Sequence, residues 1–598
     1  MNWLFAVVLV FFFMDLAHGQ QQDVSSDVNG DANSNVVQEN VVQETVLTHY
    51  ALAPNLPDDA QLRSLLLRYL SVLNQADDAL TESERSLRQF AIQREVSNLM
   101  ATEGYFSPQV SFTPQSTKAL HTEVIQVQTG ARTDIHSVNI TFSGVAPTEL
   151  QQTIRTAWRM PVGQPFRDDD WSQAKNQALE NLTEARYPAA KISHSEAKIQ
   201  DQYADLSLEL DSGPAFFIGD MKVDGLSKYP YWLVERYHPP TKGEPYSRDR
   251  LLKFQREMQN SPYFSSVTVG IDPDPAVATA VPFDVVVKER PARDFGLGAG
   301  ISSNTGARGE LSYRDRDFTG RAFDLRSVLR IEQLRQIGYV DIYLPPRTSG
   351  YLDSFGVLFD RTNISGLQTT TSSFGAKRVI VEDQTERRFG LSFINEKKSV
   401  NGEDNADARA LVGSVGWTWR AVDNSFAPRN GSITQADISG ADRGLLSDQR
   451  FLRLYGKYQY WLPVRKRDGF IFRAELGDVL STTSTGIPED YLFRAGGTSS
   501  VRGYAYQSIG IAQNNGVVGA RVLATASVEY VHWVGENWGV AGFFDAGDAA
   551  DRIQDLRLKQ GIGLGGRYKT PAGPIALDLG FNRETGQARL DFSIGIAF

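Results

Sequence analysis

From about Arg293 to Phe598 apolar residues alternate with small or polar ones at a period of two, and no other feature restricts the possible folds as much. Phe295, Leu297, Ala299 and Ile301 alternate with Gly296, Gly298, Gly300 and Ser302. Further on, Ile575, Leu577, Leu579 and Phe581 alternate with Ala576, Asp578 and Gly580. The last stretch places Leu590, Phe592, Ile594, Ile596 and Phe598 on one face and Arg589, Asp591, Ser593, Gly595 and Ala597 on the other. Such strands have one oily and one wet face. A carboxylate on a lipid face is costly, so the polar set must line a lumen. A soluble sandwich would alternate in the same way, but the chain start argues against it. Trp3 to Met14 is an apolar run too short to span a bilayer and of the length of a signal-peptide core, with small residues at Ala17-His18-Gly19 for cleavage after Gly19. No Lys or Arg precedes that run, which departs from the usual pattern. The chain has no cysteine, which suits an oxidising periplasm or outer membrane and removes disulfides, zinc thiolates and iron–sulfur clusters. The expected fold for residues 293–598 is a transmembrane antiparallel β-barrel, and about 305 residues suffice for about 16 strands of roughly 10 residues with their turns.

Residues 1–19 read as the signal peptide and 20–47, rich in Gln, Asn, Ser and Asp, as a flexible linker. Between 48 and 292 the pattern is mixed helix and strand, with a β-α-α-β-β order recurring at roughly 80 residues, the mark of a repeat. The units span 48–132, 133–213 and 214–292. The first is read from helices at Asp58–Asn74 and Glu82–Thr102, then Gly104-Tyr105-Phe106 and two strands. The second closes on Tyr187-Pro188 and two strands, and the third on Pro262-Tyr263-Phe264 and two strands.

Net charge is -10 without a basic stripe, which argues against nucleic acid. The seven histidines are scattered, and H-E-x-x-H, G-x-S-x-G and the phosphate-loop pattern are all missing from the sequence. No enzyme, cofactor or metal site is expected.

The segment most distinctive in chemistry is Phe493-Arg494-Ala495-Gly496-Gly497-Thr498-Ser499-Ser500-Val501-Arg502-Gly503-Tyr504. Downstream, alternation points Trp538, Val540 and Phe544 outward and Asp545 inward, and likewise Val528 and Tyr530 outward and Glu529 inward. Two buried carboxylates need a cation or they bind protons. Arg502 can chelate a carboxylate with two parallel bonds, and Gly503 lets the backbone approach the wall. Arg567, Asp578 and Asp591 read only as polar lumen lining.

Val501-Arg502-Gly503-Tyr504 resembles the VRG(F/Y) motif on the lumen-inserted loop of the BamA/TamA superfamily of outer-membrane assembly and secretion barrels. Gly542-Phe543-Phe544-Asp545-Ala546-Gly547 resembles that family's D-x-G strand, whose acidic residue the motif arginine contacts; it falls here on Asp545, with Glu529 as a second acidic position. The repeated units resemble POTRA domains, and their count of three, with Gly573 to Asp578, resembles the TamA branch. The resemblance covers nearly the whole mature chain. It implies an outer-membrane location with POTRA domains in the periplasm, outer-membrane lipid around the barrel, and assistance to the assembly of autotransporters or other β-barrel substrates. It also implies an inner-membrane-anchored TamB-like partner, contacted by the first unit. A lateral gate is expected between the first and last strands, where Gly296, Gly298, Gly300 and Gly595 thin the packing near terminal Phe598. The alternatives are a two-partner secretion transporter of the same superfamily and a passive porin. Between about Asp315 and Leu480 the strands are poorly marked, and Lys397 to Ala408 is expected to be an extracellular loop or turn.

Overall fold

The computed structural model describes residues 46–594, apart from 54–59, 75–78, 117–120, 348–350 and 571–572. The signal peptide, almost all of the linker, Gly595 and Phe598 therefore lie outside the described residues. These residues divide into two compact units: one runs to His136 and takes in Val162–Trp171 and Ile199–Asp205, and the other holds the remainder to the end of the chain.

In the first unit, helices Ala60–Leu73 and Glu82–Thr102 cover a four-stranded sheet. The second helix starts where Thr81 accepts from the Glu84 N–H while the Glu84 side chain reaches back to the Thr81 N–H, satisfying two donors of the first turn. Ile92, Val96 and Met100 then fall on one buried face. One element departs from the sequence reading. Strand Val46–Leu52 begins inside the supposed linker and runs parallel to His121–Gln128 within the sheet. Its polar Thr48 and His49 hid a strand beside a low-complexity tail. The tyrosine that follows the long helix recurs as a core residue: Tyr105, Tyr187 and Tyr263 are all buried.

In the larger unit, strands Ile218–Asp224, Phe264–Ile271 and Val281–Glu289 form a three-stranded sheet under helix Arg248–Gln259, which Ser247 caps. This domain is seated on the barrel. The Tyr263 hydroxyl donates to Ala322 O at 2.7 Å, and Ala322 joins the domain's apolar core. Glu289 organises the same corner. Its oxygens accept from the N–H groups of Ser227, Lys228 and Tyr229 at 3.0 Å and from the Ser227 hydroxyl at 2.8 Å. Burial pushes this carboxyl up, but those donors more than cancel it and hold it below the usual range. The ionised form is thus favoured in the folded domain, so its stabilisation is present above the ordinary glutamate pKa and lost as pH falls through the lowered value. Glu289→Gln should weaken amide protection at Ser227–Tyr229 by about 1–2 kcal/mol at pH 7. Hydrogen exchange on the full chain should show that difference shrinking below about pH 4, near the ordinary carboxylate pKa.

The barrel is a meander of sixteen antiparallel strands. They are β1 (Arg293–Ser302), β2 (Gly306–Phe318), β3 (Phe323–Glu332), β4 (Arg335–Tyr343), β5 (Tyr351–Ile364), β6 (Leu367–Glu382), β7 (Thr385–Val400) and β8 (Glu403–Val422). There follow β9 (Gly431–Ala441), β10 (Phe451–Pro463), β11 (Asp468–Leu480), β12 (Val522–Trp533), β13 (Trp538–Ala550), β14 (Lys559–Thr570), β15 (Gly573–Asn582) and β16 (Ala588–Ile594). The outward set is apolar and exposed to lipid, as at Phe295, Leu297 and Ile301. Of Lys397 to Ala408, expected as a loop or turn, only Asn401-Gly402 is a turn, and the rest is strand. It belongs to β7 and β8, joined by the turn Asn401-Gly402, where both residues have positive φ (49° and 84°). An Asn-Gly pair suits that hairpin turn. The polar residues there do not alternate with apolar ones, which is why the period-two signal fails.

Candidate functional site

Residues 481–521, between β11 and β12, do not stay outside the barrel wall. They fold into the lumen as a tongue that satisfies its own backbone. Phe493 and Ala520 exchange N–H···O bonds at 2.8 Å, as do Ala495 and Ile509 at 2.8 and 2.9 Å. The apolar side chains of the tongue, among them Leu492, Phe493, Val501 and Ile509, pack with Phe451, Val479 and Leu523 of the wall into one buried cluster.

At the tip, Arg502 is 2% exposed and faces Asp545, Glu529 and Asp578, which are 0, 3 and 4% exposed. Its Nε and Nη2 donate to the two oxygens of Asp545 at 2.8 and 2.9 Å, and its own backbone N–H donates to Asp545 at 3.0 Å. Nη1 bridges Glu529 at 2.7 Å and Asp578 at 3.1 Å. The guanidinium also sits 3.5 Å from the ring centroid of Phe543. Ser527 donates to Asp545 at 2.6 Å. A second arginine closes the array: Arg567 Nη2 and Nε both donate to Glu529 Oε1 at 2.7 and 2.9 Å, and its Nη1 donates to Asp578 at 2.5 Å. Arg473 adds a bond to Glu529 at 2.7 Å.

The inward positions of β11 to β15 thus supply Arg473, Glu529, Asp545, Arg567 and Asp578, one from each strand, and the tongue adds Arg502. Three guanidinium groups meet three carboxylates, so the buried charges balance. That balance offsets the cost of taking charged groups out of water. The sequence reading paired Arg502 with Asp545 and Glu529, and the structure brings these three together. It gave no role to Arg567, Asp578 or Asp591; the first two are network members. Asp591 accepts from the Gly503 N–H at 3.4 Å and from Arg589 Nε at 3.2 Å. Val501 is fully buried, and Tyr504 is buried beside it.

Gly503 has φ +90°, and a Cβ there would lie 2.9 Å from the backbone of Phe581. The wall answers in kind: a Cβ on Gly561 of β14 would lie 2.0 Å from Arg502 O.

The tongue is also tied to the opposite wall, which sequence reading missed entirely. Glu489 is ion-paired with Lys398 of β7 and accepts from the Gly519 N–H at 2.8 Å. Its N–H donates to Glu396 at 3.0 Å, and Thr371 donates to the other Glu396 oxygen at 3.1 Å.

The seam between β1 and β16 differs from every other strand junction. Among the described residues no ladder joins them, although each of the fifteen other neighbouring pairs is laddered. Among the described residues the β1–β2 turn bonds across the gap: Ser303 Oγ exchanges bonds with Phe592 N and O at 3.1 Å, and Arg589 donates to Ser303 O at 2.9 Å. The tongue touches both sides of this gap, since Thr498 accepts from Asn304 at 3.1 Å and Gly503 reaches Asp591. Gly296, Gly298 and Gly300 lie on the inward face of β1, where Gly296 would otherwise meet the Ser312 hydroxyl and Gly300 the Arg308 side chain.

A sixteen-stranded barrel carrying a lumenal arginine tongue and preceded by α+β domains resembling POTRA defines an outer-membrane-type barrel of the assembly and secretion class. Residues 292–598 match the Omp85 superfamily domain, and the chain belongs to the Omp85 superfamily. It is 22% identical over 442 residues to the outer membrane protein assembly factor BamA of Nitratidesulfovibrio vulgaris, covering 69% of this chain and 55% of that protein. The chain therefore spans about half the length of that relative. The crystal structure of BamA from Haemophilus ducreyi lacking POTRA domains 1–3 shares the fold at 16% identity, with TM-score 0.62 over 77% of this chain and 98% of that one. CdiB from Escherichia coli is similar at 12% identity and TM-score 0.44 over 86% and 97% of the two chains.

Proposed function

We propose that the protein assists the insertion of β-barrel proteins, autotransporters among them, into the outer membrane by opening the β1–β16 seam laterally. The observation that carries this reading is the seam itself. A strand edge in lipid leaves N–H and C=O groups without partners, at several kcal/mol each, so a barrel normally closes its ladder. Among the described residues the two edges share no ladder and are bonded through Ser303 and the tongue. An incoming strand could take up the free edge groups and so be led from water to bilayer fully hydrogen-bonded. The tongue, tied to both sides of the gap, would set how readily it opens.

Because the chain has no cysteine, a pair introduced by Ser303→Cys and Phe592→Cys gives a single disulfide across the seam. Oxidation should stop assembly of a β-barrel client and reduction should restore it. Full client assembly with the seam locked overturns the reading.

Within this reading the periplasmic domains guide the client or a partner by strand addition. Lys191–Gln200 is a sheet edge with mostly exposed side chains. A TamB-like inner-membrane partner is proposed for the first domain, and its capture by the full chain but not by one lacking residues 48–132 would support that assignment.

A further inference from the structure

The tongue network leaves unused a cavity of about 210 Å³ inside the barrel. It lies at the end of the β8–β9 and β10–β11 turns, which is also the end of the β2–β3 turn that holds Tyr263. Arg502 and Thr498 line it from the tongue, Trp461 and Trp533 from the wall, and Arg429 and Lys569 carry free charge toward it.

The cavity has a surplus of cations. Arg473, Arg502 and Arg567 are each bonded to Glu529. Lys569 and Arg429 have no bonded carboxylate among the described residues. The Lys569 ammonium rests 4.0 Å over the Trp533 ring centroid, and the Arg429 guanidinium donates to a backbone carbonyl, Lys466 O, at 2.5 Å. The two repel each other, and Glu536 offsets this only from beyond ion-pair distance. Asp423, on the turn that carries Arg429, is occupied by the backbone N–H groups of Asn424, Arg429 and Asn430. Asp468, also on the cavity wall, is bonded to Tyr530 and His532. Two spare cations beside two indole rings fit an anion with an apolar or aromatic neighbour, since the charge takes the cations and the ring takes the indoles.

We propose that this cavity is a receptor for a carboxylate of a polypeptide segment carrying an aromatic or large apolar side chain beside it. A phospholipid fits less well. Most of the lining residues, among them Arg473, Glu529, Arg567 and Asp578, sit at inward positions of their strands, so acyl chains would have to leave the bilayer, and the volume suits one or two side chains. That the natural occupant is a polypeptide rests on the assembly reading above; the anion site itself does not.

The test uses the full chain purified in detergent, with N-acetyl-L-phenylalanine as probe and its carboxamide as control, read by titration calorimetry. The acid is expected to bind saturably, with the amide and acetate at least about tenfold weaker. Lys569→Gln, which touches none of the tongue contacts, should weaken the acid comparably, and adding Arg429→Gln should abolish binding while both variants keep the folded barrel's electrophoretic mobility. The proposal is overturned if amide and acid bind alike, if acetate or inorganic phosphate binds as tightly as the aromatic acid, if Lys569→Gln binds as well as the parent, or if the acid shows no saturable heat. Client assembly is not measured here, so failure of the locked-seam experiment and failure of this one are separate outcomes.

Discussion

Arg502→Ala should release the tongue from the β11–β15 wall while leaving the strand ladder intact. The barrel's strands pair with one another and not with the tongue, so the ladder does not depend on this side chain. The substitution removes a guanidinium that holds three carboxylates, each less than 5% exposed. Arg567 and Arg473 remain beside Glu529, and Arg567 beside Asp578, but Asp545 keeps only Ser527 and the Arg502 N–H as donors. Breaking one side of a buried ion pair costs about 3–5 kcal/mol. That loss falls on the docked state of the tongue, because undocking lets water reach Asp545. Arg502→Lys should recover little, since one ammonium cannot chelate Asp545 and bridge Glu529 and Asp578 together. Arg502→Ala with Asp545→Asn should be milder than Arg502→Ala alone, because the stranded charge is removed. With no native cysteine, Thr498→Cys reports on docking through its rate of alkylation. Labelling should be much faster in Arg502→Ala, and client assembly should fall with it. Unchanged labelling would mean that the network does not hold the tongue.

How far the sequence revealed this site depends on what parity encodes. Period two states which residues face inward; Glu529 and Asp545 are buried there in the structure, and Phe544 and Tyr530 are exposed on the other face. It does not state which inward residues meet, because that depends on register and on where the tongue lands. Asp578 and Arg567 had the right parity but looked like any other lumen lining. The barrel was legible because lipid imposes the alternation along strands at its two ends, and the strand number because about 305 residues divide into about 16 strands of roughly 10 residues with their turns. Strand Val46–Leu52 and the Lys397–Ala408 hairpin were missed because no such alternation marks them. The Glu489–Lys398 tether carried no local signal, since its partners are 91 residues apart. A signal for docking did exist in the run Gly561-Ile562-Gly563-Leu564-Gly565-Gly566. It reads as a weak strand, but inward Gly561 leaves the space that the tongue's Arg502 O occupies, while Gly563 makes room for the Phe543 ring and Gly565 for the Asp578 carboxylate.

That space yields the second large effect, because it separates shape from charge. Gly503→Ala and Gly561→Ala leave every member of the ion network in place, yet each should undock the tongue as fully as Arg502→Ala. At Gly503 the new methyl group meets two obstacles: φ of +90° is unfavourable for an L-residue, and the methyl carbon would sit 2.9 Å from the Phe581 backbone. At Gly561 the backbone is not strained, but the methyl carbon would lie 2.0 Å from Arg502 O. In both cases the obstacle is main chain of a laddered strand or of the tongue tip, so no rotamer change relieves it. The tongue must withdraw, and withdrawing by about 1 Å lengthens bonds now near 2.8 Å past the range in which they are strong. Gly542→Ala on β13 is the control, since its methyl would meet only Leu564 Cδ2 at 3.6 Å, an ordinary contact. The Thr498→Cys alkylation rate should therefore rise in Gly503→Ala and Gly561→Ala and stay at the parent value in Gly542→Ala. If Gly561→Ala labels as slowly as the parent, the close approach of β14 to the tongue is not what seats Arg502 among its carboxylates.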